Sequence, residues 1–281
     1  MASFETISEQ RCFGGVQGFY RMASGECGLP MRFAAYQPPQ AANGPVPVLY
    51  FLAGLTCTEE TFVIKAGAQR MAAELGLMLV CPDTSPRDTG IEGAADDWEF
   101  GEGAGFYVDA DQPPFSRHFR MYSHVAAELP ALVEESFPAA EGRAGIFGHS
   151  MGGHGALVVG LRNPKRFRSI SAFAPIVAPS RVPWGMKAFP RYLGPQREAW
   201  LAYDACELVR REAVDSTILV DQGEQDQFLA RQLRPELFEE ACANAGQSLV
   251  LRRHAGYDHS YYFIQSFVED HLRHHAGILH A

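Results

Sequence analysis

The stretch that most constrains this chain is Gly148-His149-Ser150-Met151-Gly152. Its G-x-S-x-G follows a short apolar run, Ala144-Gly145-Ile146-Phe147. It precedes a segment, Gly153 to Arg162, in which Ala156, Leu157, Val158 and Leu161 recur at helical spacing. Buried strand, sharp turn and helix together form the setting that holds a serine at the top of a sheet with its hydroxyl exposed. A serine in such a turn occupies a strained backbone conformation, and the flanking glycines are needed because a Cβ there would meet the neighbouring strand and helix. The amide of the next residue, Met151, is left free to donate to an oxyanion. Five common letters match by chance in some chains, so the weight rests on the strand before and the helix after.

The surrounding pattern predicts an α/β fold. Up to about Pro39 the chain reads as antiparallel strands, with Gly14-Gly15 and Gly28 punctuating runs such as Gly18 to Met22 and Met31 to Tyr36. From Val46 strands alternate with helices. Val46 to Leu52 is near-continuously apolar, as expected of a strand buried on both faces of a parallel sheet. A helix over Gly67 to Leu75 leads to a second buried strand, Leu77 to Cys81. A longer helix over Tyr122 to Ser136 precedes the elbow strand. Further strands are expected at Ser169 to Ala174, Thr217 to Val220 and Leu249 to Leu251, with helices over Leu229 to Ala245 and Ser260 to about His274. Such alternation gives a mostly parallel central sheet with helices on both faces. No linker interrupts the 281 residues, so one domain over 1–281 is expected. Residues 83–116 and 175–204 show no convincing period, and long irregular insertions of this kind often build a site.

Composition narrows the classes of function. The net charge is −9 with no basic run, so nucleic acid and anionic membrane surfaces are not expected partners. No window reaches the roughly 18 apolar residues of a membrane span, and the first residues do not resemble a secretory signal. The six cysteines lie far apart with no C-x-x-C, which excludes zinc-ribbon and thioredoxin spacings and fits a reducing cytoplasm. No H-E-x-x-H occurs, so a zinc hydrolase has no support; no cofactor is expected.

A serine becomes a useful nucleophile only beside a base that a third group orients. In the alpha/beta-hydrolase arrangement these follow in the order Ser, acid, His, at the carboxyl ends of strands. After Thr217 to Val220 the chain offers Asp221, Glu224 and Asp226 in one loop. After Leu249 to Leu251 it offers His254 and His259. Spacing leaves Asp226 open against its neighbours. His259, just before the last helix, is better placed to reach over the sheet edge than His254, which continues the strand. His149 is a poor base, since adjacent elbow residues point apart. His271, His274 and His275 are expected to sit solvated near the end of the last helix, complementing its negative terminus. The second oxyanion donor is expected from the loop Leu52 to Thr58, where Gly54 lets the backbone bend and the amide of Leu55 could face the site. Gly101-Glu102-Gly103-Ala104-Gly105 lacks the spacing of a dinucleotide loop.

At this point the sequence resembles the S-formylglutathione hydrolases, also called the esterase D family, over nearly its whole length. Leu52-Ala53-Gly54-Leu55-Thr56-Cys57-Thr58 and Gly148 to Ala156 look like that family's first loop and elbow. Pro183-Trp184-Gly185, Asp221-Gln222-Gly223 with Asp226 and Phe228-Leu229, and Gly256 to Tyr262 are similar to further family segments. The resemblance implies Ser150 as nucleophile, Asp226 as acid and His259 as base, with Leu55 and Met151 as oxyanion amides. It also implies a redox-sensitive Cys57 close to the nucleophile, no metal, a cytoplasmic homodimer, and hydrolysis of S-formylglutathione in formaldehyde detoxification. Ala53 departs from the serine of many relatives, a change that leaves the backbone donors intact. Trp98 and Trp184 are the candidate substrate contacts. The alternative is a general short-chain carboxylesterase using the same three residues.

Overall fold

The computed structural model describes residues 4–281. Their core is a nine-stranded sheet in the order β1-β2-β3-β5-β4-β6-β7-β8-β9. The strands β1 (Phe4–Cys12), β2 (Gly15–Ala23) and β3 (Pro30–Gln37) pair antiparallel, and β3 meets β5 (Met78–Pro82) antiparallel. From β5 onward through β4 (Val46–Leu52) every pairing is parallel. Every residue of β4 and β5 is buried, as their unbroken apolar sequences require of central parallel strands. The outer strand β1 instead carries Glu5, Glu9 and Arg11 on exposed positions, which discourages pairing with another chain.

Between β4 and β5 lie α1 (Glu59–Lys65) and α2 (Gln69–Leu75). The sequence reading has only the second of these. The signal for α1 is local: Thr58 accepts from the Glu60 amide, while the Thr61 hydroxyl accepts from the Thr58 amide at 3.0 Å, a reciprocal cap. After β5 the chain runs irregularly to a helix that starts as α3 (Met121–Ser123), loosens to π geometry over His124–Glu128, and ends as α4 (Leu129–Ser136). The irregular stretch is not surface loop: Phe100, Phe106, Tyr107 and Phe115 are all buried. It shows no period because its aromatic side chains are placed by turns and bridges, not by a repeating backbone.

The elbow follows as β6 (Ala139–His149) and α5 (Met151–Arg162), then β7 (Phe167–Phe173). Residues 175–204, expected to be irregular, instead contain α6 (Pro183–Leu193) and α7 (Arg197–Trp200). Proline masks α6 in the sequence, although Pro183 stands at its first position, where the missing N–H costs nothing. Next come α8 (Ala205–Arg211), β8 (Ile218–Gly223), α9 (Pro235–Ala245), β9 (Leu249–His254) and α10 (Tyr261–Leu279). The helix expected over Leu229 to Ala245 is broken at Arg234, which has φ 51° before Pro235. Proline bars its predecessor from the α region.

The last helix runs to Leu279, beyond the expected end near His274. The C-terminal histidines are therefore not a solvated cap. His271 and His275 are fully buried, and burial lowers the pKa of both, that of His275 well below the ordinary histidine value. The Ser171 hydroxyl lies 2.8 Å from His271 Nδ1 and 2.8 Å from His275 Nε2, and Ser169 meets the other nitrogen of His275 at 2.6 Å. These bonds tie α10 to β7. No helix is long and apolar enough to cross a membrane among the described residues.

Candidate active site

Ser150 sits between β6 and α5 with φ 58° and ψ −118°. An L-residue rarely holds that conformation, and here the surroundings over-determine it. The Ser150 amide donates to the Phe173 carbonyl at 3.0 Å, and its carbonyl accepts from His154 at 3.0 Å and Ile176 at 3.3 Å. The tightness of the turn shows at Gly152, where a Cβ would lie 2.0 Å from the Leu52 carbonyl oxygen.

The amides of Met151 and Leu55 donate to no other group among the described residues. Met151 is the first residue of α5, whose opening turn has no intrahelical acceptor. Leu55 follows Gly54, where a Cβ would lie 3.2 Å from the Cβ of Ser150. This loop is braced from the irregular insertion. The Tyr107 hydroxyl donates to the Ala53 carbonyl at 2.9 Å, and the Thr56 amide donates to Gly103 at 2.9 Å. The Cys57 carbonyl accepts from Thr84 at 2.7 Å and from Arg87 at 2.9 Å.

Of the three acids that spacing left open, only Asp226 reaches a histidine beside Ser150. Its Oδ2 lies 2.5 Å from His259 Nδ1, and the carboxylate also accepts from the Phe228 amide at 2.8 Å and from Gln222 at 3.3 Å. Asp221 is fully buried and gripped by Arg252 through two contacts of 2.6 Å. Burial alone would raise its pKa, but the hydrogen bonds of His271 and Arg252 hold it well below the usual carboxylate range. Glu224 faces solvent. His254 ends β9 with Nε2 3.3 Å from Asp221, away from the serine.

Ser150 and His259 open onto one cavity of about 230 Å³, and no hydrogen bond joins the serine hydroxyl to another side chain among the described residues. Such bonds are often long in an unliganded enzyme and tighten with substrate. His149 also reaches this cavity, contrary to the expectation that it points away. Its ring centroid lies 4.4 Å from that of His259, and burial, with His259 beside it, lowers its pKa well below the ordinary value. It stays neutral at pH 7 and carries no orienting acid, which suits it poorly as a base.

Trp98 and Trp184 line the cavity with Phe228. The two indoles meet edge to face at 6.0 Å, Trp184 lies tilted at 51° to Phe228 with ring centroids 4.8 Å apart, and its Nε1 donates to Glu99 at 2.7 Å. Cys57 lines the same cavity, and burial raises its thiol pKa. Thr61 and Lys65, not singled out in the sequence, also line it, together with Ser260 and Tyr261 of the Gly256–Tyr262 segment. Lys65 and Thr61 belong to α1, the helix the periodicity reading lacks. A larger cavity, about 570 Å³, lies between residues 214–217 and the end of α10 and holds none of these groups. No group of three or more His, Cys, Asp or Glu with metal-holding geometry occurs among the described residues.

This arrangement can deliver a hydroxyl to a carbonyl carbon, take up its proton on an oriented imidazole, and meet the resulting oxyanion with two unpaired amides. Comparison with known proteins agrees. The family model described as putative esterase matches residues 24–274. The S-formylglutathione hydrolase of Mus musculus is 51% identical over 281 residues, covering 99% of this chain and all of that protein. That of Rattus norvegicus is 51% identical over 277 residues, 98% of each. The solved S-formylglutathione hydrolase from Agrobacterium tumefaciens superposes with a TM-score of 0.96 at 51% identity, covering 98% of this chain and 99% of its own. The fold, the disposition of these residues and full-length likeness together place the chain in the esterase family, among the S-formylglutathione hydrolases.

Proposed function

We propose that this chain hydrolyses S-formylglutathione to glutathione and formate through an acyl-serine intermediate. The observation that carries the reading is the convergence, on one cavity, of Ser150, a His259 oriented by Asp226 at 2.5 Å, and two unpaired amides. Ser150 Oγ attacks the formyl carbon while His259 Nε2 accepts its proton. Asp226 keeps Nδ1–H pointed away from the serine and steadies the imidazolium. The amides of Leu55 and Met151 receive the oxyanion, each worth roughly 2.7–4 kcal/mol by analogy with other such donors. The tetrahedral adduct collapses by breaking its C–S bond. The glutathione sulfur leaves and takes the His259 proton to depart as the thiol, which asks little of the acid because a thiolate is already a good leaving group. Water then gives one proton to His259 as its oxygen bonds to the formyl carbon, the second adduct breaks its bond to Ser150 Oγ, His259 returns the proton to that oxygen, and the acyl group departs as formate.

Six free cysteines fit a reducing cytoplasm. The homodimer implied by the family resemblance belongs to the same reading, and light scattering tests it. The decisive comparison is kcat/KM on S-formylglutathione against p-nitrophenyl acetate. A strong preference for the thioester, and mass-spectrometric recovery of a formyl group on Ser150 after acid quench, is the expected result. Preference for the ester would instead make the chain a general short-chain carboxylesterase.

A further inference from the structure

The turn that presents the Leu55 amide is strained. The Cys57 amide donates to the Gly54 carbonyl at 3.2 Å, which closes a four-residue turn with Leu55 and Thr56 at its centre. Thr56 holds the second central position with φ 68°. Type II turns need this left-handed conformation there, and glycine or asparagine ordinarily supplies it. A β-branched residue in that region is an outlier, and it persists only where the surroundings over-determine it. Thr56 is exposed, so its own side-chain packing is not what holds it.

The restraint comes from residues 83–89 and from Gly103. The Thr56 amide donates to the Gly103 carbonyl at 2.9 Å, and the Gly103 amide donates to Ser85 Oγ at 2.7 Å. At the end of the turn the Cys57 carbonyl accepts from Thr84 Oγ1 and from Arg87 Nη2. Arg87 is the charged member of this clamp, and it is fixed in turn. Its Nε and Nη2 donate to the buried carboxylate of Asp83 at 3.1 Å and 2.7 Å, and Nη2 also reaches Thr84 Oγ1 at 3.2 Å. Charge-assisted bonds of this forked kind are stronger and more directional than neutral ones. Glu102, beside Gly103, accepts from the amides of Asp88 at 3.1 Å and Thr89 at 2.9 Å, which ties the two bracing segments together. Asp83, Thr84, Arg87 and Gly103 do not line the cavity at Ser150, so they act on it only through the turn.

We propose that Arg87 is a positioning residue for the oxyanion hole. Anchored on Asp83, it holds the Cys57 carbonyl and keeps the Gly54–Cys57 turn in its strained form, with the Leu55 amide aimed before substrate arrives. A donor fixed in advance needs no reorganisation when charge develops on the carbonyl oxygen. Without the clamp Thr56 relaxes towards the right-handed region, the Leu55–Thr56 peptide rotates, and the turn no longer presents its amide to the site. The assignment rests on Leu55 being an oxyanion donor in the Ser150 mechanism.

The test is a double-mutant cycle in the full-length enzyme, read with S-formylglutathione and p-nitrophenyl acetate. Arg87→Ala should lower kcat about 30-fold on both, short of the roughly 10²–10³ that follows loss of a whole oxyanion donor, with KM changed less than about threefold. Arg87→Lys meets Asp83 as a point charge without the planar fork, and should recover part of the loss. Thr56→Gly removes the strain that the clamp opposes, so in that background Arg87→Ala should cost less than about threefold. Equal losses in the two backgrounds, or an Arg87→Ala kcat within about threefold of wild type, overturns the assignment. If Arg87→Ala does not fold, the same cycle is read with Arg87→Lys, and equal losses in the two backgrounds again overturn it. A fluorophosphonate should label Ser150 in Arg87→Ala completely but more slowly than in wild type. Labelling that stops short in proportion to the lost kcat would mean an unfolded fraction and overturns the positioning role. A wild type that resists labelling overturns the Ser150 mechanism itself, whereas a labelled, active wild type with an additive cycle leaves that mechanism standing.

Discussion

His154 offers the most quantitative test of how the site is supported. It lies in the first turn of α5, fully buried, with Nε2 2.9 Å from the Phe106 carbonyl. Nε2–H donates there, and Nδ1 has no partner. Protonation would place a second N–H, and a charge, in an apolar interior. Burial accordingly pushes its pKa from 6.5 down to about 4, against the opposing pull of the Phe106 carbonyl. The unfolded chain therefore binds more protons between those values, so the stability present above pH 6.5 is lost as pH falls towards 4. Linkage puts this loss at about 2 kcal/mol at pH 5 relative to pH 7.5. His154→Gln keeps a donor for Phe106 but cannot titrate. Urea unfolding at both pH values should show the wild type losing about 2 kcal/mol more than the variant. His149 and His275, whose pKa values are also lowered, contribute to both proteins and cancel in the difference. Parallel losses in the two proteins would refute the reasoning.

Three further substitutions probe the chemistry and the turn. Ser150→Ala should abolish turnover with circular dichroism and urea midpoint close to wild type; retained hydrolysis would defeat the nucleophile assignment. Asp226→Asn should lower kcat by about 10⁴-fold, as loss of the orienting carboxylate does in other triads, with a change in KM below about threefold. A loss under tenfold, read by stopped-flow with S-formylglutathione, would remove Asp226 from its role. Gly152→Ala places a Cβ 2.0 Å from the Leu52 carbonyl oxygen and 2.5 Å from that of Ala53, both backbone atoms that cannot give way. It should destabilise the fold by about 3 kcal/mol or more, and a soluble protein of wild-type melting temperature would contradict that.

The chain displays its architecture where a repeating backbone has to bury a repeating pattern. Val46–Leu52 was legible because a strand with helices on both faces must be apolar at every position, and the elbow because glycine is needed where Gly152 meets Leu52. The insertion around Phe100 to Val108 was not legible, since turns and single bridges leave no period. Residues 183–193 were hidden for the opposite reason: their prolines suggest loop, although Pro183 occupies a position a helix tolerates. Spacing could not choose among Asp221, Glu224 and Asp226, because the choice depends on which carboxylate the sheet has already committed. Asp221 is taken by Arg252 and His271, a pairing made across three separate elements. The same holds for the C-terminal histidines, whose partners on β7 lie about a hundred residues away.

The contact from Tyr107 to Ala53 separates what reacts from what keeps the reacting parts in tune. A hydroxyl in a stretch with no regular structure fixes the angle at which a loop more than fifty residues earlier presents its N–H. Two enzymes of this kind could share every reacting side chain and still differ in speed through this one strut. Lengthening or trimming that stretch would then act as a dial on turnover, leaving the sheet and its serine untouched.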